Sequence, residues 1–228
     1  ELVSMVSRET RLKDAVEKIR EEYDYIFIDC PPAVGLLTMN ALTASDCVII
    51  PVQCEYLALE GVADLMKTIG RIQKTFNPNL TVHGVVLTMF DGRSNLSKSI
   101  VSDVKKYFGD QVYDTLIPRN VRIPEAPSHG LPVMIYDYKS TGAQSYVRLA
   151  AEVLKREREF LTDGKEKLRT QCNIKPYACI VTHFLNYVNT CFAFFYFLGT
   201  KKARIYPNFS VNSLTMFTIL SACFLSVQ

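Results

Sequence analysis

The chain has 228 residues, of which 48% are hydrophobic and 21% are charged. This composition excludes disordered, collagen-like and disulfide-dense proteins, because it supplies enough apolar surface for one full core or two small ones. The formal net charge of +3 is too small for the whole chain to bind nucleic acid electrostatically, so any such partner must be held by a local cluster.

Helical and strand-like patterns alternate along the first 156 residues. A first helix is predicted behind Ser7 as its N-cap, because apolar residues recur at i, i+3, i+4 and i+7 from Leu12. The elements predicted next, in chain order, are a strand at 25–29, a helix at 37–44, a strand at 47–52, a helix at 62–76, a strand at 82–89, a helix at 94–108, a strand at 112–118 and a helix at 142–156. Continuous Val/Ile strands between helices predict an α/β fold, a mostly parallel sheet with helices on both faces.

The end of the chain has a different composition. No acidic residue occurs from Thr170 to Gln228, and two uncharged apolar runs, 179–198 and 209–227, approach the length that crosses a bilayer. Polar residues make the hydropathy of both runs marginal. Three interpretations remain open: translated non-coding or frame-shifted sequence, a membrane hairpin, or a partner-binding segment. We expect 171–228 to form a tail outside the fold, joined by a linker at 157–170.

Chemistry is expected where the strands end, because ligands of open α/β sheets bind outside the carboxyl ends of the strands. The segment YDYIFIDCPPAVG, residues 23–35, delivers Asp29 from an apolar strand into a loop that contains Pro31, Pro32 and Gly35. A carboxylate in this position suits Mg²⁺, which takes a few hard oxygen ligands and keeps waters and substrate phosphates.

Four blocks in order carry a family resemblance: DCPP from Asp29, LLTMNALTASDCVIIPVQCEYLALEG from Leu36, LTMFDGRSNLS from Leu87 and IPRNVRIPEAPSHGLPVMIYD from Ile117. Together they resemble the ParA/Soj chromosome-partitioning ATPases of the deviant Walker group, over 1–156. The resemblance implies a P-loop NTPase-like domain, N-terminally incomplete, that uses ATP and Mg²⁺.

The resemblance also assigns residues. Asp29 matches the aspartate that orients a Mg²⁺ water, and the loop with Pro31, Pro32 and Gly35 matches the segment that senses the γ-phosphate. The walls and backbone edge of the adenine pocket match residues at two later strand ends: Thr88, Met89, Pro118, Arg119 and Asn120. A plain core role is the alternative for Met89. We assign no catalytic residue.

Arg93 and Arg122 resemble the family's basic residues for sequence-independent DNA binding. Exposed arginines on adjacent loops make phosphate contacts without reading bases; the alternative is a solvated loop charge or, for Arg122, a structural hydrogen bond. The partners implied are non-specific DNA, a second copy in an ATP-bound homodimer and a ParB-like centromere-binding protein, in a cytoplasmic, nucleoid-associated protein. A membrane is expected as a partner only through the tail.

The chain departs from this family in one large respect. The family's phosphate-binding loop and its strand lie before the segment that matches Glu1, and no G-x-x-x-x-G-K-[ST] motif occurs in the 228 residues. We therefore expect no ATP hydrolysis by the chain alone, and unpaired edges on the inner strands. The alternative functions are a MinD-like membrane-associated positioning ATPase and a non-functional fragment.

Overall fold

A computed structural model describes residues 6–23, 25–30, 35–56, 58–162, 177–182 and 203–206. The α-helices in this part of the chain are α1 (Arg11–Glu17), α2 (Leu36–Ala44), α3 (Ala58–Thr75), α4 (Asn95–Phe108), α5 (Arg122–Glu125), α6 (Val133–Tyr136) and α7 (Thr141–Thr162). The strands are β1 (Tyr25–Cys30), β2 (Cys47–Gln53), β3 (Thr81–Phe90), β4 (Val112–Pro118), β5 (Tyr177–Thr182) and β6 (Ala203–Tyr206).

The six strands form one sheet in the order β4-β3-β2-β5-β1-β6. Every neighbouring pair is parallel, which confirms the predicted fold class. The sheet is covered on both faces, as β2 illustrates: Val48, Ile50 and Val52 pack with residues of α1 to α4, whereas Cys47 and Ile49 pack with residues of α5 to α7. This alternation follows from the two-residue period of a strand.

The order of the sheet differs from the expectation of unpaired inner strands. β5 lies between β1 and β2 and pairs with both, with Asp29 opposite Val181 and Cys47 opposite Cys179. The pairing strands therefore come from the segment that we expected outside the fold. The rest of 171–228 lies outside the described residues, as do the linker beyond Thr162, most of the first apolar run and all of the second. The division into domain, linker and tail therefore stays a prediction. No helix in the described ranges is long and apolar enough to cross a membrane.

The start of α1 also differs from the prediction. The helix begins at Arg11 behind Thr10, and Ser7 has a φ of 55° and lies in the preceding turn. The buried Asn40 side chain of α2 fixes this geometry, because its Oδ1 accepts the Leu12 N–H at 3.2 Å and its Nδ2 donates to the Arg8 carbonyl at 2.7 Å. A long-range side-chain contact therefore sets the helix start, which local sequence signals did not reveal.

β4 carries a bulge that α7 completes. From Val85 to Leu87, β3 advances by two residues while β4 advances by four. The backbone N–H groups of Asp114 and Thr115, inside this bulge, donate to the two carboxylate oxygens of Glu152 at 2.7 and 3.0 Å. Arg156, one turn further along α7, donates to the carbonyls of residues 110–112. Polar side chains of α7 thus satisfy backbone groups that a regular ladder would have paired.

Beside this bulge, a histidine lies in a setting that keeps it neutral. The His83 Nδ1 is hydrogen-bonded to the hydroxyl of fully buried Tyr113, and the Arg156 guanidinium lies 4.4 Å from the Tyr113 ring centroid. Burial, and secondarily the charge of Arg156, lower the pKa of His83 from 6.5 to about 4. Protonating this imidazole would place a second cation at a site that already holds a guanidinium.

We expect His83 to make the free energy of unfolding rise with pH between about 4 and 6.5. In that window the unfolded chain binds a proton that the folded chain does not, so the contribution is present above pH 6.5 and lost as the pH falls towards 4; its full size is about 3 kcal/mol. Urea denaturation at pH 5 and 7.5 tests this with His83→Gln, which keeps a hydrogen-bonding group. The variant should lose less stability than the parent on acidification, and equal losses would contradict the assignment.

Candidate functional site

The residues selected from the sequence lie along the carboxyl edge of the sheet. Asp29 is the last residue but one of β1, Thr88 and Met89 are near the end of β3, and Pro118 ends β4. Because all neighbouring strands are parallel, these ends meet at one edge.

Asp29 is a partly buried carboxyl group. Burial raises its pKa to about 6, against a smaller lowering by the Cys30 backbone N–H. Within the described ranges no ion pair involves Asp29. A carboxylate desolvated in this way is stabilised by a nearby cation, so Asp29 fits a Mg²⁺ ligand.

The described residues hold no group of three or more His, Cys, Asp or Glu side chains that could bind a metal. A Mg²⁺ ion at Asp29 would therefore take its other ligands from water and from phosphate oxygens, as this ion commonly does. Pro31 and Pro32 lie outside the described residues. Gly35 follows them as the exposed residue before α2, so only the end of the predicted sensing loop is described.

The end of β3 has an irregular backbone. From Leu87 to Phe90, β3 advances three residues while β4 advances two, and Met89 within this step has a φ of 55°. A non-glycine residue in the left-handed region is uncommon and is enriched at ligand sites. Thr88 is tied to β2 on the other side, because its carbonyl accepts the Cys54 N–H at 2.9 Å.

The loop after β4 is fastened to the end of β3. The Arg119 N–H donates to the Phe90 carbonyl at 2.9 Å, and the Arg119 guanidinium pairs with Glu55 in the loop after β2. Asn120 accepts the Arg122 N–H at 2.8 Å and donates to the Thr141 hydroxyl at 2.9 Å. Three loops at the carboxyl edge are therefore held together by direct contacts.

The structure gathers Thr88, Met89, Pro118, Arg119 and Asn120 at the ends of β3 and β4. Asp29 lies apart from them, because β5 and β2 separate β1 from β3; three strand spacings amount to about 14 Å. A ligand that uses both parts of this edge must be elongated and carry different chemistry at its two ends.

The two candidate DNA-binding arginines lie in the loops that follow β3 and β4. The Arg93 side chain is 92% exposed, and it contacts Asp91 through Nε at 3.2 Å and Nη2 at 3.3 Å. Arg122 is the first residue of α5 and pairs with Glu125 at 2.8 Å and Asp137 at 3.4 Å. Both are surface arginines with carboxylate partners.

Sequence reasoning missed Glu55 and Asp91, the carboxylates that contact Arg119 and Arg93. Each follows a predicted strand closely, as Asp29 ends one, so the strand-end criterion applied to acids would have found them. It also missed the short helices α5 and α6, which lie in a segment with Pro124, Pro127 and Pro132. Prolines in the first turn of a short helix are tolerated, because the N–H they remove has no partner there.

Comparison with known proteins identifies relatives of this chain. A family profile described as an AAA domain matches residues 1–82. Sporulation initiation inhibitor protein Soj of Bacillus subtilis is 59% identical over 153 residues, which are 67% of this chain and 60% of that protein. Chromosome partitioning protein ParA of Caulobacter vibrioides is 53% identical over 161 residues, which are 70% of this chain and 60% of that protein.

The chain is homologous to the ParA/Soj proteins over about 70% of its length. The chain spans about 60% of the length of these curated relatives. Chromosome partitioning protein ParA of Myxococcus xanthus is a further relative, 51% identical over 69% of this chain and 56% of that protein. The resemblance drawn from the four sequence blocks is thereby confirmed.

Solved structures of two other proteins share the fold of this chain. Cobyrinic acid a,c-diamide synthase from Mycobacterium smegmatis, with bound ADP and magnesium, has a TM-score of 0.53 and 30% identity and covers 77% of this chain and 60% of that chain. A second structure of that enzyme holds an ATP analog and magnesium. Apo McdA from Cyanthece, with a TM-score of 0.52 and 19% identity over 57% of this chain and 54% of that chain, shares the fold.

Proposed function

We propose that the intact protein containing this chain is an ATP-dependent chromosome or plasmid partitioning protein that binds DNA without sequence preference as an ATP-bound dimer. The observation that carries the proposal is the homology to ParA and Soj over 67% and 70% of the chain. A ParB-like protein is the proposed partner, and association with the nucleoid follows from DNA binding.

The nucleotide is proposed to lie along the carboxyl edge. An ATP molecule has the elongated shape that the separation of Asp29 from the β3 and β4 ends requires. Its phosphates and Mg²⁺ would lie towards Asp29, and its base towards Met89, Pro118 and the backbone of Arg119. Solved structures of cobyrinic acid a,c-diamide synthase that contain ADP or an ATP analog with magnesium support this choice of ligand.

Hydrolysis by the 228-residue chain alone is not part of the proposal. Its sequence contains no glycine-lysine motif that would surround the phosphates with backbone amides and a lysine. Without those groups, the charge that develops on the phosphoryl oxygens during transfer is not neutralised. We therefore assign the binding of metal and base to this chain, and hydrolysis to the intact protein.

The DNA site is proposed at Arg93 and Arg122. Their loops follow neighbouring strands, so both guanidinium groups belong to one end of the sheet. The carboxylates that pair with these arginines, Asp91, Glu125 and Asp137, are themselves partly exposed. Exposed pairs of this kind are weak, so a phosphate can replace the carboxylate or share the arginine with it.

We expect Arg93→Ala and Arg122→Ala each to weaken DNA binding to the same extent for duplexes of unrelated sequence. Each change should also lower the slope of log affinity against log salt concentration by about one unit. The measurement is fluorescence anisotropy of the intact protein with MgATP at several salt concentrations. Arg71→Ala removes the same charge from an exposed site on α3 and serves as the matched control. Unchanged affinity and slope in the double variant would remove these arginines from the DNA site.

A further inference from the structure

Two cysteines occupy neighbouring positions in the middle of the sheet. Cys47 begins β2, and its register partner in β5 is Cys179. On the other side of β5, Cys179 is opposite Phe27 of β1. Neighbouring strands lie about 4.8 Å apart, and residues at the same register belong to one face of the pleated sheet. Phe27, Cys179 and Cys47 therefore form one row across three strands.

The two ends of this row show which face of the sheet it occupies. Phe27 is 3% exposed and Cys47 is 5% exposed. Both pack with residues of α5 to α7, so the row belongs to the face that these helices cover. This position is at the start of β2, away from the carboxyl edge that carries the candidate nucleotide and DNA residues.

The other cysteines of the described part of the chain are not placed to join this row. Cys30 ends β1 opposite Thr182 of β5, and Cys54 follows β2. Burial raises the pKa of Cys30 to about 12 and that of Cys54 to about 11, so neither readily forms the thiolate that reacts with an oxidant. Among the described residues, only Cys47 and Cys179 are two cysteines at facing register positions.

We propose that Cys47 and Cys179 are a pair of oxidisable thiols, which a small peroxide joins in a disulfide that fastens 177–182 between β1 and β2. The spacing permits this bond, because disulfides connect residues whose Cα atoms are about 4.4–6.8 Å apart and neighbouring strands lie about 4.8 Å apart. The bond links β2 to β5 across a long stretch of chain, so it restricts the unfolded state strongly. The oxidation needs neither nucleotide nor DNA.

The reaction is a two-electron oxidation in two steps. One thiolate attacks the peroxide and the O–O bond breaks; its sulfur becomes a sulfenic acid, and the departing hydroxide takes up the thiol proton to give water. The second thiol attacks the sulfenic sulfur and the S–O bond breaks, which releases a second water that contains the proton of that thiol. The protein loses two electrons and the peroxide gains them. Dithiothreitol reverses the bond by thiol–disulfide exchange.

The test treats the folded 228-residue chain with hydrogen peroxide and maps its peptides without reduction. We expect the loss of two free thiols, a cross-linked peptide that joins Cys47 to Cys179 within one chain, and a urea midpoint that rises and returns on addition of dithiothreitol. The same treatment in denaturing urea should give mixed pairs among the seven cysteines. A cross-link dominated by other cysteines in the folded chain, or one between two copies, would overturn the proposal.

Three substitutions identify the reacting sulfurs. Cys47→Ala and Cys179→Ala should each abolish the cross-linked peptide and the peroxide-dependent rise in the urea midpoint. Cys30→Ala removes a buried thiol at a different register and should keep both. If the rise persists in Cys179→Ala, the oxidised site lies elsewhere and the proposal is wrong. If a variant does not fold, the peptide map of the parent chain decides, because it identifies the cross-linked residues directly.

Discussion

Gly84→Val is expected to destabilise the fold by about 3 kcal/mol or more, the upper range for forcing extra atoms into a packed core. A Cβ at Gly84 would lie 2.6 Å from Cε2 and 2.7 Å from Cζ of Tyr113. The Tyr113 ring is fully buried and is held by His83 and Arg156, so it has no open space to enter. Urea denaturation measures the effect.

The matched control is Gly70→Ala on α3, where an added Cβ meets nothing within 4 Å. That change should be neutral or stabilise the protein by up to about 1 kcal/mol through helix propensity. Gly84→Ala adds only the clashing Cβ and should also destabilise the fold. Combining Gly84→Ala with Tyr113→Leu should recover part of this loss, because the ring atoms that clash are gone. A Gly84→Ala variant as stable as the parent would show that the strands separate more easily than this packing implies.

Asp29→Asn is expected to lower MgATP hydrolysis by the intact protein at least about 100-fold, because the amide no longer provides the negative charge that holds Mg²⁺. The same change should stabilise the metal-free protein at pH 8 by about 1–2 kcal/mol, after allowance for the partial exposure of the carboxyl group. Steady-state hydrolysis and urea denaturation in EDTA measure the two effects, with Asp110→Asn as the control for charge.

The pH dependence gives an independent check on Asp29. Its pKa of about 6 in the folded chain exceeds the ordinary 3.8, so between these values the folded chain binds a proton that the unfolded chain has released. Its contribution to stability is present below pH 3.8 and lost as the pH rises through 6, opposite in sign to that of His83. Asp29→Asn should therefore steepen the rise of stability with pH, and a parental hydrolysis rate or an unchanged slope would contradict the role.

β1 to β4 were predictable because each is a mainly apolar segment between predicted helices. The prediction of 25–29 for the first strand, for example, differs by one residue from the observed Tyr25–Cys30. The start of α1 was not predictable, because it depends on Asn40 from another helix. β5 was missed because it overlaps the apolar run 179–198, and β6 was missed because it lies between the two runs, in the segment expected outside the fold.

The sequence predicted which residues of the candidate site lie at strand ends. It did not predict most of the contacts between them. Thr88 and Pro118 follow from the positions of their strands. The left-handed backbone of Met89 was not foreseen, because it arises from a register step between β3 and β4. The pairing of Arg93 with Asp91 is local in sequence, whereas that of Arg119 with Glu55 joins residues 64 apart, which sequence patterns alone do not connect.

The side chains of α7 that complete the β4 bulge also bear on association between copies of the chain. Among the described strands β4 lies at one end of the sheet, and the backbone groups that it does not share with β3 are those that an extra strand would use. Glu152 occupies the N–H groups of Asp114 and Thr115, and Arg156 occupies three carbonyls beside them. An added strand would find the Asp114 and Thr115 N–H groups already bound to Glu152, so α7 disfavours the joining of copies edge to edge at this bulge.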